Sequence, residues 1–195
     1  MIGPVRHNRG MGHLSLDQLM QGLDHVRAAP TTQGELAAIV SRPAPGEREV
    51  LTEATLDHVV GLVGDNWLAR GSKSGPALLD SQVTVMNVRA AELVADGTER
   101  MPLAGDQLYL DLDLSVDNLP AGSLIRVGHA VLEVSEKPHL GCAKFVERFG
   151  EEAMRFVNSR VGRELRLRGA NTRVVVPGVI RVGDIVTRDA PPPSV

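Results

Sequence analysis

Apolar and polar positions change period several times along the chain, and each period names an element. Leu16, Leu19, Met20, Leu23 and Val26 recur at helical spacing, with Ser15 placed to cap the start and Pro30 beyond the end. Residues 35–41 read as a strand, closed by the Arg42-Pro43-Ala44-Pro45-Gly46 turn with Arg48 in the same loop. Over 52–63 the spacing of Leu56, Val59, Val60 and Val63 favours a short helix ending near Gly61 or Gly64. The glycine- and proline-bearing loop 69–76 should be flexible; 82–87 then alternates as a strand and 88–96 suits a helix.

The second half is richer in strands. In 107–114, Leu108, Leu110, Leu112 and Leu114 point one way and Tyr109, Asp111 and Asp113 the other, as in a half-buried strand. Residues 130–134 form another strand. The best helix is 145–158, where Phe145, Phe149, Ala153, Phe156 and Val157 make one apolar stripe. A strand over 163–169 and a second over 171–176, joined at Gly169, would carry Arg166, Arg168 and Arg173 side by side. Residues 120–131 and 177–186 resemble each other: each reads as short strand, glycine turn, short strand, around Gly128 and Gly183. Two such corners favour a closed β-barrel over a parallel sheet. The expected fold is mainly β with peripheral helices (α+β): a mobile basic arm over 1–14, one domain over 15–189, and a disordered proline-rich tail over 190–195.

Composition narrows the function. At 195 residues with 43% hydrophobic positions, one aliphatic core is expected. Only 3% of residues are aromatic and the net charge is −3, which argues against stacking platforms and nucleic acid. The charge is uneven, however. Residues 137–173 hold nine Lys/Arg against four Asp/Glu, either a solvated helix face or an anion-binding surface. Arg6 and Arg9 precede no apolar run and no stretch reaches membrane-span length, so neither a secretory signal nor a membrane is expected and the location should be cytoplasmic.

One cysteine excludes an internal disulfide and a multi-cysteine metal site. Cys142 follows the Pro138 turn and falls near the start of the 145–158 helix, where unpaired N–H groups favour a thiolate; Lys137, His139 and Lys144 push the same way. The alternative is a small buried hydrophobe. His139 is a candidate general acid/base beside the thiol, or a surface histidine at a proline turn.

Asp117-Asn118-Leu119-Pro120, the corner through Gly128, residues 130–135, the Gly141-Cys142-Ala143-Lys144 turn, Arg168-Gly169, Pro177-Gly178 and Val182-Gly183-Asp184 follow in order. Together they resemble a MOSC domain, named for the C-terminal domain of molybdenum cofactor sulfurase, over about 35–188. The resemblance implies a β-barrel and a cysteine, here Cys142, that accepts sulfur or ligates the molybdenum of a pterin cofactor. It also implies basic and amide side chains that hold the cofactor, for which Lys144, Arg168, Asn171, Arg173 and Asn118 are the candidates. Many members carry Pro-Cys-x-Lys where this chain has Gly141-Cys142-Ala143-Lys144. The 195 residues contain neither an extra β domain nor a pyridoxal-phosphate desulfurase domain, so pyridoxal phosphate would act only through a partner desulfurase. The expected partners are a small-molecule substrate or sulfur donor and a desulfurase or oxidoreductase. Sulfur transfer and molybdenum-dependent reduction are the reactions implied; a non-catalytic barrel binding an anionic small molecule is the alternative.

Overall fold

The computed structural model describes residues 13–72 and 75–189. Most of the expected arm, the expected tail and the centre of the 69–76 loop lie outside these residues. Seven strands close a barrel: β1 (Gln33–Ser41), β5 (Val83–Asn87), β6 (Leu108–Leu110), β7 (Leu124–Val127), β8 (Ala130–Val134), β9 (Ala170–Val176) and β11 (Ile185–Asp189). Their order is β11-β7-β8-β9-β5-β6-β1, and β1 pairs back to β11 to close the ring. All neighbours are antiparallel except β5 and β6, which run parallel. A short β2 (Glu49–Leu51) extends β1. Strands β3 (Glu53–Asp57), β4 (Gly61–Leu62) and β10 (Gly178–Arg181) form a separate small sheet. Among the described residues no helix is long and apolar enough to cross a membrane.

Period-two alternation sorts the strand residues between two cores. Leu36, Ile39, Val85, Leu108 and Leu110 fill the barrel. Ala38, Val40, Met86 and Tyr109 face outward, yet they are buried too, under the helices. Tyr109 is therefore not on a solvated face, as the 107–114 pattern suggested; its hydroxyl donates to Met101 O at 3.1 Å. The covering helices are α1 (Leu16–Gln21), α2 (Leu23–Arg27), α4 (Val88–Ala95) and α5 (Ala143–Asn158). The expected first helix is split at Gly22, while Ser15 caps it as predicted. Leu14, assigned to the arm, packs on this outer core.

Two predicted elements change type. Residues 52–63 are strands β3 and β4, because β3 pairs with β10 across Leu56↔Gly178 and Glu53↔Arg181. Asp57 accepts the N–H groups of Val59 (2.7 Å) and Val60 (3.1 Å), and that turn replaces the helix. Residues 163–169 are not a strand. Ser159 caps α6 (Arg160–Glu164) and accepts Gly162 N–H at 2.9 Å, and the chain then turns through Arg166. The two glycine corners exist. Gly128 turns β7 into β8, whereas Gly183 passes the chain from the small sheet to the barrel, so β10 and β11 do not pair. The corners abut: Gly128 N–H donates to Ile185 O at 3.2 Å where β7 meets β11.

Candidate functional site

Cys142 is the N-cap residue of α5. Its carbonyl accepts Phe145 N–H at 2.8 Å and Val146 N–H at 3.1 Å, and its side chain is exposed. The preceding residue is fastened from an unexpected direction. Gly141 N–H donates to Asn158 Oδ1 at 2.9 Å, and Asn158 Nδ2 reaches Gly141 O at 3.4 Å. In an unbroken helix Asn158 would stand about 22 Å from the first turn. It reaches Gly141 because α5 is kinked at Gly150, whose φ of 88° and ψ of 168° suit only glycine. A side chain at Gly141 would press on Met154, Val157 and Asn158 of the returning half. This is a local reason why glycine stands before the cysteine.

Cys142 opens on a cavity of about 280 Å³. Six cations line it: Arg42, Arg48, Arg70, Lys144, Arg148 and Arg168. Two are neutralised from behind. Arg42 makes a two-pronged pair with Asp65 (2.8 and 2.9 Å) and donates to Gly105 O. Arg168 meets Asp106 at 2.5 Å, donates to Ala104 O at 3.0 Å and lies over the Phe145 ring at 5.1 Å. The other four have no carboxylate partner among the described residues. Burial, Arg148 and Arg42 hold Arg48 below the usual arginine range; burial and Arg42 do the same to Arg70.

Five buried polar atoms lack a hydrogen-bond partner among the described residues: Arg48 Nε, Asn66 Oδ1, His139 Nδ1 and Arg168 Nε on residues of this wall, and Asp106 Oδ1 buried behind it. His139 Nδ1 lies 3.3 Å from Asp106 Oδ1 without hydrogen-bond geometry. Burial, then Arg168 and Arg42, push the imidazole well below its ordinary value, so it is neutral at pH 7. Burial pushes Asp106 up, against the pull of Arg168.

The structure brings together His139, Cys142, Lys144, Arg168 and Asn171 at one cavity. Asn171 also fixes the turn ahead of the thiol, donating to Lys137 O (3.1 Å) and Pro138 O (3.2 Å). Arg173 and Asn118 stand elsewhere. Arg173 is about 6.6 Å further along β9, where it pairs with Glu133 of β8 at 2.9 Å. It does not flank Arg166 and Arg168, because the 163–169 strand that would have aligned them is absent. Asn118 ties three segments together, donating to the backbone at Thr31 O and Asp113 O and accepting from the Arg188 guanidinium at 2.8 Å. The sequence reading gave Arg42, Arg48, Arg70 and Arg148 no site role. The first two flank the proline turn at 43–46 and Arg148 lies in the basic block 137–173; Arg70 has no local hint.

The family model for the MOSC domain matches residues 65–187, more than half of the sequence, and the chain belongs to the MOSC domain family. Arg42 and Arg48 precede the matched region. Solved structures share the fold at low identity. YuaD protein from Bacillus subtilis is 15% identical with a TM-score of 0.61, over 79% of this chain and 94% of its own. YiiM from Escherichia coli is 20% identical with a TM-score of 0.53, over 83% and 72%. YiiM from Geobacillus stearothermophilus is 14% identical with a TM-score of 0.54, over 80% and 75%. No curated protein matches the sequence.

Proposed function

We propose that the cavity holds a molybdenum–pterin cofactor, with Cys142 Sγ as a metal ligand and the surplus cations on the cofactor's phosphate. The observation that supports this reading is the cluster of unpartnered donors, Arg48 Nε and Arg168 Nε above all, around one exposed thiol. An anion supplies oxygens where the protein supplies only N–H groups. A thiolate is the soft ligand that such a metal takes. Among the described residues no group of three or more His, Cys, Asp or Glu is placed to hold an ion, so the metal's other ligands would come with the pterin. When bound, the cofactor supplies two-electron reduction chemistry to a small-molecule substrate. The chain's part is to seat it: Arg48, Arg148 and Lys144 hold the anionic end, Asn171 fixes the turn before His139, Asn158 fixes Gly141, and His139 stands neutral at the cavity wall with its Nδ1 turned to Asp106.

Exposure of Cys142 favours a second reading, a sulfur carrier charged by a pyridoxal-phosphate desulfurase acting as a separate partner. Carriage of a bare sulfur atom needs no pocket of arginines, so the cation surplus supports cofactor binding over it. The test is metal and pterin analysis of protein expressed with molybdate. Stoichiometric molybdenum and pterin, with the metal lost in Cys142→Ser and the pterin lost in Arg48→Gln/Arg148→Gln, is the expected result. Absence of both from the wild type overturns the proposal. A persulfide donor that then modifies Cys142 supports the carrier; an inert thiol leaves a non-catalytic anion-binding barrel.

A further inference from the structure

A second cavity, of about 380 Å³, shares the His139 and Asn171 walls with the first but has a different character. Val116, Pro120, Leu140, Val157 and Ala170 give it apolar walls. Its charged lining is Glu136, Lys137, Arg163 and Arg166. None of the three cations has a carboxylate partner among the described residues: Lys137 donates to Ser81 Oγ at 3.2 Å, Arg163 to Asn158 O at 2.8 Å, and Arg166 to Leu114 O at 3.3 Å and to Leu119 O. Arg166 is also held at φ 47°, a left-handed conformation that a non-glycine residue keeps only where its surroundings enforce it. An apolar body with an excess of cations at its edge is complementary to one class of molecule. The volume falls within the roughly 300–1,000 Å³ of small-molecule sites.

We propose that this second cavity binds a small amphipathic anion, an arylacetate or short-chain carboxylate, with its apolar part against Leu140, Val157 and Ala170 and its carboxylate on Arg163 and Arg166. The site is separate from cofactor binding and does not depend on it. Its occupant lies against His139, Leu140 and Asn171, the residues that lead into the Gly141–Cys142 turn. It therefore reaches the thiol's support from outside the thiol's own cavity.

Fluorine NMR titration of the full chain with a trifluoromethyl-phenylacetate tests this. Saturable binding is expected in the wild type and equally in Cys142→Ser, which separates this site from the molybdenum reading. The corresponding primary amide should bind about tenfold more weakly, the loss expected for a charge-assisted hydrogen bond. Arg163→Gln, at an exposed position, should weaken binding to a similar degree, and Ala121→Trp, at the exposed rim, should abolish it. Arg163→Gln gives up one bond to a backbone carbonyl, Asn158 O, and Arg166→Gln two, so Arg163→Gln with Ala121→Trp and the acid–amide comparison carry the test without Arg166→Gln. No saturable binding to the wild type, or binding equal for acid and amide and unchanged in both variants, overturns the proposal.

Discussion

Replacing Asn158 with alanine removes the clamp on the residue before the thiol. The Gly141 N–H loses a 2.9 Å partner in a half-buried position. One such bond contributes about 1 kcal/mol, and an N–H left unpaired adds about as much again. The longer contacts from Asn158 Nδ2, 3.4 Å to Gly141 O and 3.3 Å to Met154 Sδ, add little. Asn158→Ala should therefore cost about 1–2 kcal/mol, and a chain of this size converts each kcal/mol into roughly 2–4 °C of melting temperature. The sharper readout is local. With the turn released, the exposed Cys142 thiol should be alkylated by iodoacetamide a few-fold faster than in the wild type, well below the unfolding range. Asn158→Asp keeps the oxygen that accepts Gly141 N–H and should keep most of the wild-type rate. A melting temperature and an alkylation rate both unchanged in Asn158→Ala would refute the claim that the far half of α5 positions the thiol.

Gly150→Ala puts a side chain at φ 88° and ψ 168°, a region open in practice only to glycine, and against His13, and should cost about 1–3 kcal/mol, with faster Cys142 alkylation as in Asn158→Ala, since both loosen the same contact. Arg168→Met strands Asp106, which is fully buried, and should destabilise by about 3–5 kcal/mol in urea unfolding; adding Asp106→Leu should restore most of that loss. The His139 imidazole is held below its ordinary value when folded. Between that lowered value and about 6.5 the unfolded chain binds a proton that the folded chain refuses. Its contribution is thus fully present above about pH 6.5 and is lost as pH falls. The urea midpoint should drop between pH 7.5 and pH 5 by more in the wild type than in His139→Gln; equal drops would show that His139 does not carry the effect.

Much of the barrel is legible in the sequence because its strands are either alternating or continuously apolar. The 35–41, 82–87, 130–134 and 171–176 readings match β1, β5, β8 and β9 to within two residues at each end. The stretch 52–63 misleads because Leu56, Val59, Val60 and Val63 fit a helix, and only distant β10 makes β3 a strand. The stretch 163–169 misleads because Leu165 and Leu167 alternate by coincidence inside a turn. For the site, nearness in sequence finds Cys142, His139 and Lys144. The resemblance adds Arg168 and Asn171, which the cavity also gathers. Arg42, Arg48 and Arg70 come from the loop after β1 and from α3 (Trp67–Arg70), and apart from the proline turn beside the first two no local pattern marks them. Nothing short of the closed ring places residue 48 opposite residue 148.

A closed ring of strands can alternate direction all the way round only if their number is even. With seven, one neighbouring pair must run the same way, and here it is β5 and β6. Parallel neighbours cannot be joined by a tight turn, so the chain must travel the length of the barrel and come back. That return leg, residues 88–107, ends with Ala104, Gly105 and Asp106, which together hold Arg42 and Arg168 at the mouth beside Cys142. Asp106, one of the site's two internal counter-charges beside Asp65, is thus delivered by a requirement of parity. Gln107, whose N–H donates to Thr84 O at 3.1 Å and whose carbonyl accepts Val40 N–H at 2.8 Å, fastens the end of that leg to the barrel, so Asp106 keeps its place whatever the length of the loop before it.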